Sequence, residues 1–466
     1  MTANATATQL HRPRTVHVVS LGCPKNRVDT ELMVGGLHAA GLEMVAEAEG
    51  ADVLLVNTCA FIEASKVESV DAILDLADVK ERNPHAKLVV AGCLSQRFAP
   101  QLREEMPEVD YFIGTGEYQK LLDVLGLQAG AGAASEDLSG FADGARKDKP
   151  TYIADHLEPR WVAPGSFSTY LKIAEGCSQG CSFCIIPKLR GRQRSRTVED
   201  CVAEARQLVA AGTVEICLVA QDLTHYGEDI GQPEALSTLI RALGEVEGLR
   251  WVRLMYAYPH NFTPALIAAM AETENCVKYV DMPLQHCSDR VLQRMNRRTS
   301  RQEMETLLTA LREAMPDIVL RTTLLVGHPG EADEDFEELC AFVKRWRFDH
   351  MGAFAYSKEE GTASARMPDQ IPSAVKKFRL NKLLSIQRAI AKERNAARVG
   401  TQIPVLVHGL SAETDLLLEG RYPGQAPEID GVVYINDAPD DIGRGQIRIV
   451  EITEAHDYDL VGHVVT

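Results

Sequence analysis

No run of 18 apolar residues occurs in this 466-residue chain, which excludes a membrane-spanning helix. The first fifteen residues lack the apolar core of a secretory signal, so the expected location is the cytoplasm. No repeat of solenoid period is present. Basic residues are scarce: 49 Lys and Arg face 66 Asp and Glu, a net charge of −17. Nucleic-acid capture by clustered cations is thereby disfavoured, and a basic partner, or none, is favoured. The eleven cysteines do not form the pattern of a disulfide framework. In a reducing compartment such thiols bind metal or stay buried. Hydrophobic residues at 45% and charged residues at 25% are ordinary for a globular protein, and the length predicts two to three domains.

What is present is concentrated first in Cys177-Ser178-Gln179-Gly180-Cys181-Ser182-Phe183-Cys184, a C-x3-C-x2-C stretch. It follows a short apolar strand at 168–174 and a Glu175-Gly176 turn. Thiolates are the usual ligands of iron–sulfur clusters, and a four-iron cluster has four irons to satisfy. Three cysteines hold three of them and leave one open to bind and activate a small molecule. A zinc site is the competing reading, but it lacks a local fourth ligand; His225 and His260 are distant in sequence.

A second cysteine set lies upstream. Between 14 and 125 the pattern alternates strands at 15–21, 53–57 and 87–91 with helical segments at 28–40, 63–80, 97–105 and 117–125, plus an extended piece at 109–113. Such alternation predicts parallel βαβ units. Cys23, Cys59 and Cys93 each fall just past a strand. Ligands bind at that edge of an open parallel sheet, so the three thiols are expected to meet there as a second cluster site. Read singly, each would pass as an ordinary buried cysteine. The Gly-, Ala-, Ser- and Asp-rich stretch from Gly126 to Lys149 reads as a linker or as a loop ordered by a partner.

Strand–helix alternation resumes from 167 to 356, with strands at 168–174, 214–220, 251–257, 277–283, 318–326 and 350–356. Six βα units predict a partial, open (β/α) barrel with its site at the strands' carboxyl ends, where the Cys177 loop emerges. A charged helix at 373–398 either covers the barrel's open edge or bridges to the next domain. Beyond Gly400, short strands at 403–408, 416–421, 431–435 and 446–455 predict a small antiparallel β-barrel. Its twelve acids outweigh Arg421, Arg444 and Arg448, leaving −9 over 400–466. The fold class is therefore α/β multidomain.

These residues resemble a known family. C-x3-C-x2-C after the first barrel strand resembles the signature of radical S-adenosylmethionine enzymes. "SLGCPKN", "VNTCAFI" and "AGCLSQR" resemble the N-terminal domain of methylthiotransferases, and the last segment is similar to a TRAM domain. "CSFCIIPKLRGRQRSR", "YPH", "MPLQHCSDRVL" and "APEIDGVVYIN" are similar to the branch that modifies ribosomal protein uS12. The resemblance implies a methylthiotransferase N-terminal domain at 14–125, a linker at 126–162, a radical S-adenosylmethionine core at 163–395 and a TRAM domain at 396–466. It implies that Cys177, Cys181 and Cys184 hold a [4Fe-4S] cluster whose open iron takes S-adenosylmethionine, with Phe183 at that cofactor. Cys23, Cys59 and Cys93 would hold an auxiliary [4Fe-4S] cluster. The implied reaction adds a methylthio group to the β-carbon of an aspartate in uS12. That C–H bond is not acidic, so a cofactor must supply radical chemistry. An electron donor such as flavodoxin or ferredoxin is implied as well.

Two alternatives compete. A tRNA methylthiotransferase would want a basic C-terminal barrel, and this one is acidic. A non-catalytic electron carrier would ligate every iron, whereas two sets of three leave one open in each. "VGHPGEA" at 326–332 departs from the family's "VGFPGET"; His328 reads as a tolerated loop residue or a ligand contact. Cys287, in "LQHCSD", reads as a small buried residue, and Cys201, Cys217, Cys276 and Cys340 read as structural. The basic run Lys188, Arg190, Arg192, Arg194 and Arg196 is expected to steady the S-adenosylmethionine carboxylate or an acidic target, or else to pair with local acids.

Overall fold

The structure is a computed structural model that describes residues 12–127, 150–439 and 441–465. Most of the expected linker, 128–149, lies outside the described residues. The chain forms two compact units, one from Met1–Val162 with Ile186–Arg192 and one from Ala163–Ile185 with Gln193–Thr466.

In the first unit, strands β1 (Thr15–Ser20), β2 (Glu43–Met44), β3 (Val53–Thr58), β4 (Lys87–Gly92) and β5 (Tyr111–Ile113) form one sheet in the order β2-β1-β3-β4-β5. Every pairing is parallel, as the alternation predicts. The run VLLVNT of β3 is buried throughout, which suits a central strand covered on both faces. Helices α1 (Pro24–Ala39), α2 (Glu63–Arg82), α3 (Cys93–Glu105), α4 (Leu121–Val124) and the short α5 (Ile186–Leu189) complete the unit. Pro24 at the start of α1 extends that helix four residues upstream of its expected start, since proline's fixed φ suits the first turn. The two-residue β2 carries no alternation long enough to read from sequence. The core joins Val16, Leu55 and Val89 of the sheet to Leu37 of α1 and Leu121 of α4.

In the second unit, β6 (Ser168–Lys172) is followed by a two-residue hairpin, β7 (Ala174–Glu175) against β8 (Arg194–Ser195), that brackets the cysteine stretch. Strands β9 (Glu215–Val219), β10 (Trp251–Leu254), β11 (Cys276–Gln285), β12 (Val319–Val326) and β13 (His350–Ala355) then add one after another. The resulting six-stranded parallel sheet runs β6 to β13 in chain order, with β7 and β8 apart from it. Helices α6 (Val198–Ala210), α7 (Ala235–Gly244), α8 (Pro264–Glu272), α9 (Asp289–Arg294), α10 (Arg301–Ala314) and α11 (Asp333–Trp346) lie between the strands. The long α12 (Ser373–Ala396) covers the β13 edge: Gln387 donates to Phe348 O at 2.9 Å and Lys376 to Tyr356 O at 2.9 Å.

Strands β14 (Gln402–Leu410), β15 (Leu418–Arg421), β16 (Val433–Asp437), β17 (Ile447–Ala455) and β18 (Leu460–Val464) close a barrel in the order β14-β15-β16-β18-β17. The sequence reading lacked β18, and it is β18 that closes the barrel. One pairing, β16 with β18, is parallel; the rest are antiparallel.

Buried charges tie this barrel to the six-stranded sheet. Glu215 of β9 accepts from Arg253 Nε at 3.0 Å, from Arg421 Nη2 at 2.5 Å and from Ser168 Oγ at 2.7 Å, with Glu215 and Arg253 wholly inaccessible. Nearby, Asp430 accepts from Tyr279 OH at 2.8 Å and from Arg321 Nε at 3.3 Å. Burial alone would raise the Glu215 carboxyl, but the Arg421 and Arg253 charges overcome it and hold the group at about 2, below its ordinary 4.5. Because the folded value lies below the unfolded one, this contribution is complete above pH 4.5 and fades as pH falls toward 2. Replacing one member leaves buried charge uncompensated: Glu215→Gln is expected to lower stability by about 3–5 kcal/mol at neutral pH, measured by urea unfolding of the full chain. Replacing Glu215, Arg253 and Arg421 together with apolar residues of similar volume should recover most of that loss.

Candidate metal centres

The first-unit thiols follow three neighbouring strands. Cys23 sits between β1 and α1, Cys59 directly after β3, and Cys93 opens α3. Two glycines fix the approach. Gly22 has φ +93, and a Cβ there would lie 2.8 Å from Cys59 Cβ. Gly92 has φ +97, and its Cβ would lie 2.3 Å from Asn57 Oδ1 and 2.6 Å from Thr58 O. These contacts explain why a glycine precedes the cysteine in both "SLGC" and "AGC".

Side chains bind the strand ends together. Asn26 Nδ2 donates to Leu21 O at 3.0 Å and Thr58 O at 2.9 Å, while its Oδ1 lies 3.9 Å from Cys93 Sγ. Asn57 Nδ2 donates to Asn26 O at 2.8 Å, and Ser69 bridges both backbone groups of Cys59 at 3.0 and 2.9 Å. Burial pushes the Cys59 thiol up, with the neighbouring Cys23 adding to the rise. Burial takes Cys93 to about 12, against the Arg190 charge and with Cys59 and Cys23 contributing. The three thiols therefore stand in one another's field, as the strand pattern predicts. A metal displaces the protons that burial holds on.

The basic run does not act as one unit. Arg190, within the Ile186–Arg192 segment of the first unit, is buried and pairs with Asp29 at 3.0 Å. Its guanidinium also contacts Asn26 Oδ1 and hydrogen-bonds the Cys93 side chain. In the second unit Arg196 is buried against Asp200 and Glu204. Arg196 thus follows the local-pairing alternative, whereas Arg190 pairs with an acid 161 positions away.

The second trio lies on one loop. Gly176 and Gly180 take positive φ of 83° and 69°, letting the chain turn on both sides of Cys177. Glu175 anchors the loop's start by accepting from Lys172 Nζ at 2.9 Å, Gln221 Nε2 at 2.8 Å and Gly176 N at 3.2 Å. Cys184 N donates to Cys181 O at 3.1 Å, and Arg297 Nη1 lies 3.8 Å from Cys181 Sγ while stacking over Tyr258. Burial takes the Cys177 thiol to about 12, against the hydrogen bond from Gln179 N and with the Asp222 and Cys181 charges adding to the rise. Cys177, Cys181 and Cys184 all keep partial exposure.

The sequence misjudged His328. It is fully buried, with Nε2 2.8 Å from Ser364 Oγ and 3.4 Å from Ser182 Oγ. Ser182 lies between Cys181 and Cys184, so His328 props up the cysteine loop. The substitution for phenylalanine in the family motif carried no hint of this. Phe183 packs on Val291, Met295, Leu325 and Tyr356. Cys287 is inaccessible, and Cys201, Cys217, Cys276 and Cys340 are buried. His225 is taken by Glu228 at 3.0 Å, and His260 is exposed. Among the described residues, no three His, Cys, Asp or Glu groups converge into a site for a single metal ion. The donor set at each trio, three thiols and no carboxylate or imidazole, suits an iron–sulfur cluster.

Residues 171–343 match the Radical SAM superfamily, which with the parallel sheet and its cysteine loop defines the class of protein. Residues 15–114 match Uncharacterized protein family UPF0004, and residues 399–465 match the TRAM domain. The chain belongs to the family of ribosomal protein uS12 methylthiotransferase RimO. It is 48% identical to that protein of Anaeromyxobacter sp. (strain K), over 97% of this chain and 93% of the relative. It is 46% identical to that of Geobacter sulfurreducens, over 97% and 98%. Among solved structures, the radical S-adenosylmethionine methyltransferase TsrM from Kitasatospora setae shares the fold, with a TM-score of 0.52 at 16% identity over 74% of this chain and 72% of that one.

The glycine geometry is testable. Gly92→Ala should destabilise the first unit by at least about 1–3 kcal/mol, because a side chain is strained at that φ and meets Thr58 backbone. Thermal unfolding of the full chain measures it.

Proposed function

We infer that this chain is a radical S-adenosylmethionine methylthiotransferase that modifies ribosomal protein uS12, adding a methylthio group at the β-carbon of an aspartate. The observation that carries this reading is the 48% identity to uS12 methylthiotransferases over 97% of the chain. In our reading Cys177, Cys181 and Cys184 hold a [4Fe-4S] cluster with one open iron, and Cys23, Cys59 and Cys93 hold an auxiliary one. Together with S-adenosylmethionine, the clusters supply the electron, the radical and the sulfur chemistry that side chains lack. The chain's own residues bind and orient. Glu175 and Ser182 fix the cysteine loop, Asn26 holds the auxiliary loops, and Phe183 lines the S-adenosylmethionine side of the first centre.

We take 14–125 as the methylthiotransferase domain, 126–162 as linker, 163–395 as the radical core and 396–466 as the TRAM domain. The reductant is a small electron carrier such as flavodoxin or ferredoxin, and the compartment is the cytoplasm, where thiols stay reduced. Among the described residues no helix is long and apolar enough to cross a membrane. The TRAM barrel's acids, Glu413, Asp415, Asp437 and Glu454 among them exposed, suit a Lys- and Arg-rich ribosomal protein through complementary potential.

Mass spectrometry of uS12 and of tRNA from cells with and without this protein tests the substrate. The methylthio mass shift should vanish from uS12 alone; its loss from tRNA, with uS12 unchanged, overturns the reading. Cys23→Ala/Cys59→Ala/Cys93→Ala should remove half of the iron of the reconstituted enzyme and leave reductive cleavage of S-adenosylmethionine. Cys177→Ala/Cys181→Ala/Cys184→Ala should remove the other half and abolish that cleavage.

A further inference from the structure

Among the described residues of the first unit Lys25 and Arg190 are buried cations, and Arg190 lies beside Cys93. Arg190 is 2% exposed, its side chain lodged between Asp29, itself inaccessible, and the Cys93 loop. It reaches Asn26 Oδ1 and the Cys93 side chain, and Asn26 Oδ1 is 3.9 Å from Cys93 Sγ. Tyr118 OH donates at 2.9 Å to the same Asp29 oxygen, Oδ2. Tyr118, Asp29, Arg190 and Asn26 thus form a hydrogen-bonded chain that ends at a candidate ligand. Burying a guanidinium is unfavourable unless it is paired, and a single carboxylate neutralises it without explaining why the fork also turns to the thiol side.

We propose that Arg190 is a positioning residue for the auxiliary cluster, balancing the negative charge of three thiolates and favouring the cluster's reduced state. The proposal rests on the reading of Cys23, Cys59 and Cys93 as cluster ligands. A four-iron core with two positive charges and three thiolates carries one net negative charge, and accepting an electron makes two. A buried cation stabilises the second state more than the first, because Coulomb energy scales with the product of charges and is weakly screened inside the protein. The Asp29 carboxylate holds the guanidinium in place.

The test uses the full chain carrying Cys177→Ala/Cys181→Ala/Cys184→Ala, so that only the auxiliary centre remains. Iron and sulfide are counted after reconstitution, and the midpoint potential is followed by low-temperature EPR during a redox titration. Arg190→Met removes the cation facing the buried Asp29 carboxylate and invites misfolding, so Asp29→Asn and Asp29→Asn/Arg190→Met are compared. Removing Arg190 in that background should disfavour reduction at least tenfold, about 59 mV downward for one electron. Asp29→Asn/Arg190→Lys should restore most of the potential, which a purely structural role would not require. Four irons per chain with an unmoved potential overturn the inference and leave the cluster reading intact. No iron in the parent variant overturns both.

Discussion

In a parallel sheet every connection crosses back over a face, so all strands deliver their carboxyl ends to one edge. The first-unit thiols depend on that constraint. Cys23, Cys59 and Cys93 follow β1, β3 and β4, which are neighbours in the sheet. Strands stand about 4.8 Å apart, so the three loops begin within about 10 Å of one another. Residues 36 and 34 positions apart in sequence become a local group without any of them belonging to one loop. The second unit gathers its trio differently. There a single loop supplies all three thiols, and glycine turns with side-chain anchors shape it.

Both arrangements bury polar backbone that a loop would otherwise show to water. Asn26, Asn57 and Ser69 bond backbone at the strand ends in one unit; in the other, Glu175 and Asn296 bond loop backbone at Gly176 and Gly180, and Ser182 bonds Arg294 O. This padding has an electrostatic consequence. Burial raises the Cys93 and Cys177 thiols to about 12. A metal bound by these two thiols would displace their protons, so metal uptake and proton release are linked.

The sequence made most of the strands, the two cysteine trios and the three-part architecture legible, because each rests on local pattern: β-branched runs, helical spacing, glycine before cysteine. What it hid was set by contacts between distant residues. Arg190 and Asp29 are 161 positions apart, and nothing in "KLRGRQRSR" separates Arg190 from its neighbours. His328 looked like a loop substitution because its partners, Ser182 and Ser364, are 146 and 36 positions away. Strand β18 was missed for another reason: Gly462 interrupts its apolar alternation, and a Cβ there would lie 2.3 Å from Glu451 O of the adjoining strand.

The acidic barrel shows how a charge count read from sequence divides in three dimensions. Arg421 and Asp430 never face solvent; they belong to the lock against Glu215, Arg253 and Arg321. One charge of each sign is withdrawn, so the outward imbalance survives intact. The two populations also answer differently to salt. Exposed carboxylates are screened over a Debye length of about 8 Å at physiological ionic strength, whereas the buried pairs are screened far less. Salt that screens the barrel's exterior carboxylates therefore leaves the barrel seated on the sheet.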